Sequence, residues 1–98
     1  MQVCSVNCLV VFKLGPSDES IGELGKFNFR RIALDPDQIT RVESRSYGIT
    51  HDVLVSWKPP NAETISIVCS NDEEAIKLQD TILQVIHDAR FYRRLQYG

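Results

Sequence analysis

The stretch that most restricts the fold is residues 70–94, SNDEEAIKLQDTILQVIHDARFYRR. At about 100° per residue, Ala75, Leu78, Ile82, Val85, Ile86 and Ala89 fall on one stripe. Glu74, Lys77, Thr81, Gln84 and Asp88 fall opposite. Ser70 with Glu73 three residues later reads as a capping box, and Asp72, Glu73 and Glu74 stand where the helix dipole is positive. A helix with one apolar stripe needs an apolar surface to lie on, so the rest of the chain has to supply a sheet face.

Upstream of it the periodicity is two. In residues 2–14, Cys4, Val6, Cys8, Val10, Phe12 and Leu14 alternate with Ser5, Asn7 and Lys13, the pattern of one long half-buried strand. GPSDESIGELG, residues 15–25, reads as a flexible acidic loop. KFNFRRIAL is a second strand with Phe27 and Phe29 on one side, and its stumble at Arg30-Arg31 predicts a bulge or a shift of the buried face. Asp35, Pro36 and Gln38 have the pattern of a capped helical turn, which would let Ile39 and Val42 point inward together. A strand follows through about Tyr47, YGITHD turns, and DVLVSWK places Val53, Val55 and Trp57 on one face. PPNAE is a turn, and TISIVC is the last strand, with Ile65, Ile67 and Cys69 inward. Short connections favour an antiparallel meander.

With 98 residues and 43% hydrophobic content the chain suits one domain, residues 1–98. A formal charge of −2 argues against a dedicated nucleic-acid binder. Stacking through Phe91, Tyr92 and Tyr97 beside Arg93 and Arg94 is the minority reading there. Cys4, Cys8 and Cys69 contain no CxxC pair, and two residues four apart in a straight strand lie about 13 Å apart, beyond disulfide reach. They read as inward, reduced, unliganded thiols of a cytoplasmic protein. VCSVNCLVVFKL lacks a basic flank and a cleavage pattern and is too short to span a bilayer.

The helix tail carries two readings. Continued past Arg90, the helix puts Arg93 on the core stripe and turns Phe91 and Leu95 to solvent. Either Arg90, Arg93 and Arg94 only complement the negative helix end and the aromatics fold back over a sheet edge, or the tail docks a partner.

IALDPDQITRVESRS, DVLVSWKPP and ETISIVCSNDEEAIKLQDTILQVI resemble the second half of a pleckstrin-homology (PH) superfold domain, the group that includes PH, phosphotyrosine-binding (PTB) and FERM third-lobe domains. The resemblance covers about residues 30–94. It implies an α+β fold, an antiparallel β-sheet of about five to seven strands closed by one C-terminal α-helix. Five strands are visible where that fold has seven, and the usual closing-helix tryptophan is absent.

PTB- and FERM-type lobes bind a peptide as an added strand beside the helix. The resemblance therefore implies a non-enzymatic protein-interaction module, an adaptor or an assembly subunit, with a protein or peptide partner. Its candidate residues are Thr64, Ser66 and Val68 on a sheet edge and Phe91, Tyr92, Arg93, Arg94 and Leu95 on the tail. The alternative is a phosphoinositide or anionic-membrane binder through Lys13, Lys26, Arg30 and Arg31, although Asp18, Glu19 and Glu23 in the neighbouring loop would repel phosphate. His51 beside Asp52 and His87 beside Asp88 come with no nucleophile elbow, phosphate loop or metal-ligand spacing, so neither catalysis nor a cofactor or metal is expected.

Overall fold

The computed structural model describes residues 1–15, 18, 29–59 and 62–97. Among these residues, six strands, one 3₁₀ turn and one helix follow in order: β1 (Gln2–Val6), β2 (Leu9–Leu14), β3 (Arg30–Leu34), η1 (Pro36–Gln38), β4 (Ile39–Tyr47), β5 (Thr50–Trp57), β6 (Glu63–Cys69) and α1 (Asp72–Tyr97). The expected single sheet is instead two three-stranded antiparallel sheets, β1-β2-β3 and β4-β5-β6. The break falls at η1. Asp35 accepts from the Asp37 N–H at 2.9 Å and Gln38 accepts from the Asp35 N–H at 3.0 Å. This closed capping box turns the chain away before β4 can pair with β3.

The long first strand is a hairpin. Val6 pairs with Leu9 across a two-residue loop, and Asn7 takes φ of 56°. Asparagine tolerates that left-handed conformation, which the tight hairpin turns demand. The turn reverses the chain, so the alternation did not describe one face. Val10, Phe12 and Leu14 enter the core, while Cys4 and Cys8 are only half-buried. The straight-strand distance argument for those two thiols therefore does not apply. Cys69 alone of the three is buried.

β3 begins at Arg30 and pairs with β2 in unbroken register, so no bulge sits at Arg30-Arg31. The buried face shifts instead: Ile32 and Leu34 turn inward, and Phe29 is 82% exposed. Phe27, Lys26 and the acidic loop, except Gly15 and Asp18, lie outside the described residues. The bulge is at Thr40, where the register of β4 against β5 shifts between Ile39 and Arg41. That extra residue lets Ile39 and Val42, three apart, both pack on the core.

One core joins the three layers. Phe12 and Leu14 come from the first sheet, Val53, Val55, Ile65 and Ile67 from the second, and Ala75, Ile82, Ile86 and Ala89 from α1. The predicted helix stripe is the buried one, and Glu74, Lys77, Thr81, Gln84 and Asp88 are exposed. Its cap is one residue later than the spacing suggested. The Glu74 N–H donates to Asn71 Oδ1 at 2.8 Å, and the Ser70 N–H donates to Glu74 Oε1 at 3.3 Å. Asparagine caps as well as serine, and Asn71 too has an acid, Glu74, three residues on. At about 1.5 Å per residue, the 26 residues of α1 span roughly 39 Å, so the helix outruns strands of five to nine residues.

Candidate functional site

β4 is an edge strand beside α1. Its hairpin with β5 closes through Gly48, at φ of +58°, and Ile49, leaving Tyr47 opposite Thr50. In a two-residue hairpin the flanking residues form a hydrogen-bonded pair, and such pairs alternate along the ladder. Glu43, Arg45 and Tyr47 therefore spend their backbone groups on β5, while Val42, Ser44 and Ser46 turn theirs to the outer edge. Among the described residues no strand pairs with that edge.

The helix runs antiparallel to β4 and is fastened to it at three levels. Ser46 donates to Asp72 at 2.7 Å; Ser44 donates to Gln79 at 3.1 Å, and Gln79 Nε2 donates to the Val42 carbonyl at 3.0 Å. Further along, Arg90 reaches Asp37 at 3.3 Å. Between the two elements lies a groove of about 150 Å³ lined by Ile39, Val42, Leu83 and Ile86, with Arg41 and Arg90 at its rim. That volume suits a single apolar side chain and falls short of the several hundred Å³ typical of small-molecule pockets.

The tail continues as helix past Arg90. Arg93 occupies the position of a core residue and pairs with both carboxylates of the 3₁₀ turn, Asp35 and, at 2.9 Å, Asp37. Partial burial pushes the Asp35 carboxyl up, but the Asp37 N–H and the Arg93 guanidinium outweigh it and hold it below the ordinary carboxylate value. The hydrogen bond to Asp35 in turn raises Arg93. Arg90 and Arg93 thus engage η1 and not their own helix end. The aromatics do not fold back: Phe91 is 55%, Tyr92 38% and Leu95 69% exposed, and Arg94 is exposed too. The side chain of Tyr97 lies outside the described residues.

Thr64, Ser66 and Val68 lie on β6, the opposite edge of the same sheet. There the Val68 N–H is taken by the Asp18 carbonyl at 2.8 Å, and Ser66 donates to Asp52. The edge flanked by the helix is β4, which the sequence reading did not single out.

Asp52, on the face of β5 opposite Val53 and Val55, is the one buried charged residue among the described residues, 5% exposed. Arg45 grips it with two hydrogen bonds, Nε to Oδ1 at 2.9 Å and a terminal nitrogen to Oδ2 at 2.7 Å, and lies 5.2 Å over the Tyr47 ring. The Arg45 bond, with help from Ser66, holds the Asp52 carboxyl low and Arg45 correspondingly high. Counting outward from the Gly48-Ile49 turn would have placed these two charges opposite each other. Ser46 also lies 2.9 Å from His51 Nδ1. Because serine sits between Asp72 and the imidazole, the hydroxyl proton goes to the carboxylate, unlike the order a nucleophilic serine requires.

Lys13 and Arg31 are register partners, and with Arg30 they line a cavity of about 460 Å³ that also contains Asp18. Arg30 pairs with Glu63 at 2.9 Å, and Lys26 lies outside the described residues. Among the described residues no cluster of metal-ligating side chains occurs, and no helix is long and apolar enough to cross a membrane. The chain matches no protein-family model, and neither a curated protein nor a solved structure is significantly similar to it.

Proposed function

We propose that this chain is a non-enzymatic, PH-like interaction module that takes an extended peptide of a partner protein as an added strand along β4, beside α1. The single observation that carries the reading is the edge of β4, unpaired with any strand among the described residues, running next to an apolar groove between Val42 and Leu83. Backbone pairing at Val42, Ser44 and Ser46 would supply affinity, and the groove would select one apolar side chain. Two three-stranded sheets and a closing helix are compatible with that fold group. The exposed Phe91 and Leu95 offer a second docking face at the helix end. The test is selection of binders from a random peptide library, followed by amide mapping on the chain. Protection at Val42, Ser44 and Ser46 is the expected result; selected peptides that protect only other segments would overturn it.

A second reading has one observation in its favour: Lys13, Arg30 and Arg31 line one cavity. A phosphoinositide or anionic membrane would be held there by converging cations, against the opposition of Asp18. Pelleting with phosphoinositide vesicles across a salt series checks it, since electrostatic capture weakens as salt rises.

A further inference from the structure

The edge of β4 is complementary to itself. Lay a second β4 antiparallel along it with Ser44 opposite Ser44, and every facing pair is defined. Glu43, which pairs with Arg41 of its own strand at 2.7 Å, then faces Arg45 of the other copy, Arg45 faces its Glu43, and Arg41 faces its Tyr47. These residues share the outer face of the sheet, and all fall at the non-hydrogen-bonded positions, where opposed side chains approach most closely. Val42, Ser44 and Ser46 fall at the hydrogen-bonded positions, with their backbone groups turned to the edge.

α1 repeats the symmetry independently. Ser44 touches Gln79 at 3.1 Å, so a two-fold axis through Ser44 passes level with Gln79. Ile76 and Leu83 stand about equally far before and after that level. They share one helix flank, the flank that meets β4 at Leu83, and are 46% and 47% exposed. The axis brings Ile76 of one copy to Leu83 of the other, twice, and covers both.

We propose that the occupant of the β4 edge is a second copy of this chain, joined across a two-fold axis at Ser44 into one continuous sheet of six strands with the two helices antiparallel above it. This rests on the reading of β4 as a docking edge and names the partner. The Gln79 bond to the Val42 carbonyl does not oppose it, since a carbonyl has a second lone pair for the incoming N–H. The interface is isologous, so it closes at two copies, each β4 edge spent on the other.

Sedimentation velocity over a concentration series tests it. The wild-type mass should rise from 11.2 kDa toward twice that value, and less so in high salt. Glu43→Arg puts like charges opposite Arg45 at both pairs and should weaken self-association at least about tenfold. Ser44→Pro removes the two N–H groups at the axis, at an edge position where proline leaves the pairing with β5 intact, and should do the same. Far-UV circular dichroism checks that both variants keep the fold. If either does not, hydrogen exchange of the wild type replaces it, and Val42, Ser44 and Ser46 should gain protection as concentration rises. A wild type that stays monomeric throughout overturns the proposal, as does a dimer that both variants leave unchanged. A monomer whose β4 amides are protected by peptide overturns self-pairing alone. A dimer weakened by both variants, whose selected peptides bind elsewhere, supports self-pairing and removes the peptide reading.

Discussion

Asp52 shows what a single residue decides. A carboxylate 5% exposed holds its charge only because Arg45 and Ser66 surround it, so removing the charge wastes a paired guanidinium. Asp52→Asn is expected to lower stability by about 1–3 kcal/mol in a urea titration at neutral pH. The pH dependence follows from direction. Asp52 and Asp35 both titrate below their ordinary values, so the stability they add is complete above about pH 4 and is lost as pH falls through their folded values. Acidification should therefore destabilise the wild type more than Asp52→Asn, with Asp35 leaving the variant some residual slope; equal slopes would show that Asp52 is not charged in the fold. Cysteine behaviour is likewise settled one residue at a time. Burial pushes the Cys69 thiol up and hides it, so a thiol reagent should label the half-buried Cys4 and Cys8 well before Cys69, as mass spectrometry of the native protein would show.

Elements were legible in the sequence where one periodicity runs uninterrupted and illegible where a single residue resets it. The stripe of α1 needed no tertiary knowledge, because Ile82 and Gln84 lie about 200° apart on any helix. Ile82→Ala, at a fully buried position, is expected to cost about 2–5 kcal/mol, while the exposed Gln84→Ala should cost little. Urea titration of the two variants measures the difference, and equal losses would mean the helix is rotated. The cap was ambiguous at one-residue resolution, and replacement resolves it. Asn71→Ala should lose about 1 kcal/mol of stability, whereas Ser70 contributes its backbone N–H and tolerates the same change. The first hairpin was hidden because Asn7 sits inside an alternating run that reads equally well as one strand. Thr40 hid in the same way, by returning Val42 to the face of Ile39 with an extra residue.

At the scale of the whole molecule, the division into two sheets and the identity of the exposed edge depend on which distant segments meet. Arg30 reaching Glu63 and Asp18 reaching Val68 are separations no local pattern encodes, and they decide that β6 is partly covered while β4 keeps its outer edge. The tail was half legible. The stripe foretold that Arg93 would land on the core side, but its carboxylate partners lie across the chain in η1. With Arg90 and Arg93 bound there, the last turns are held against the body of the protein while Phe91 and Leu95 point outward. Replacing both by serine should accordingly leave the melting temperature nearly unchanged, since exposed side chains add little to a fold. Binding is the discriminating readout, because exposed aromatic and aliphatic anchors that become buried in a complex commonly carry much of its energy. Peptides selected on the wild type should lose affinity for the double variant if they dock on the tail, and keep it if they dock along β4. A large fall in melting temperature would show instead that these side chains pack on the body of the protein in solution.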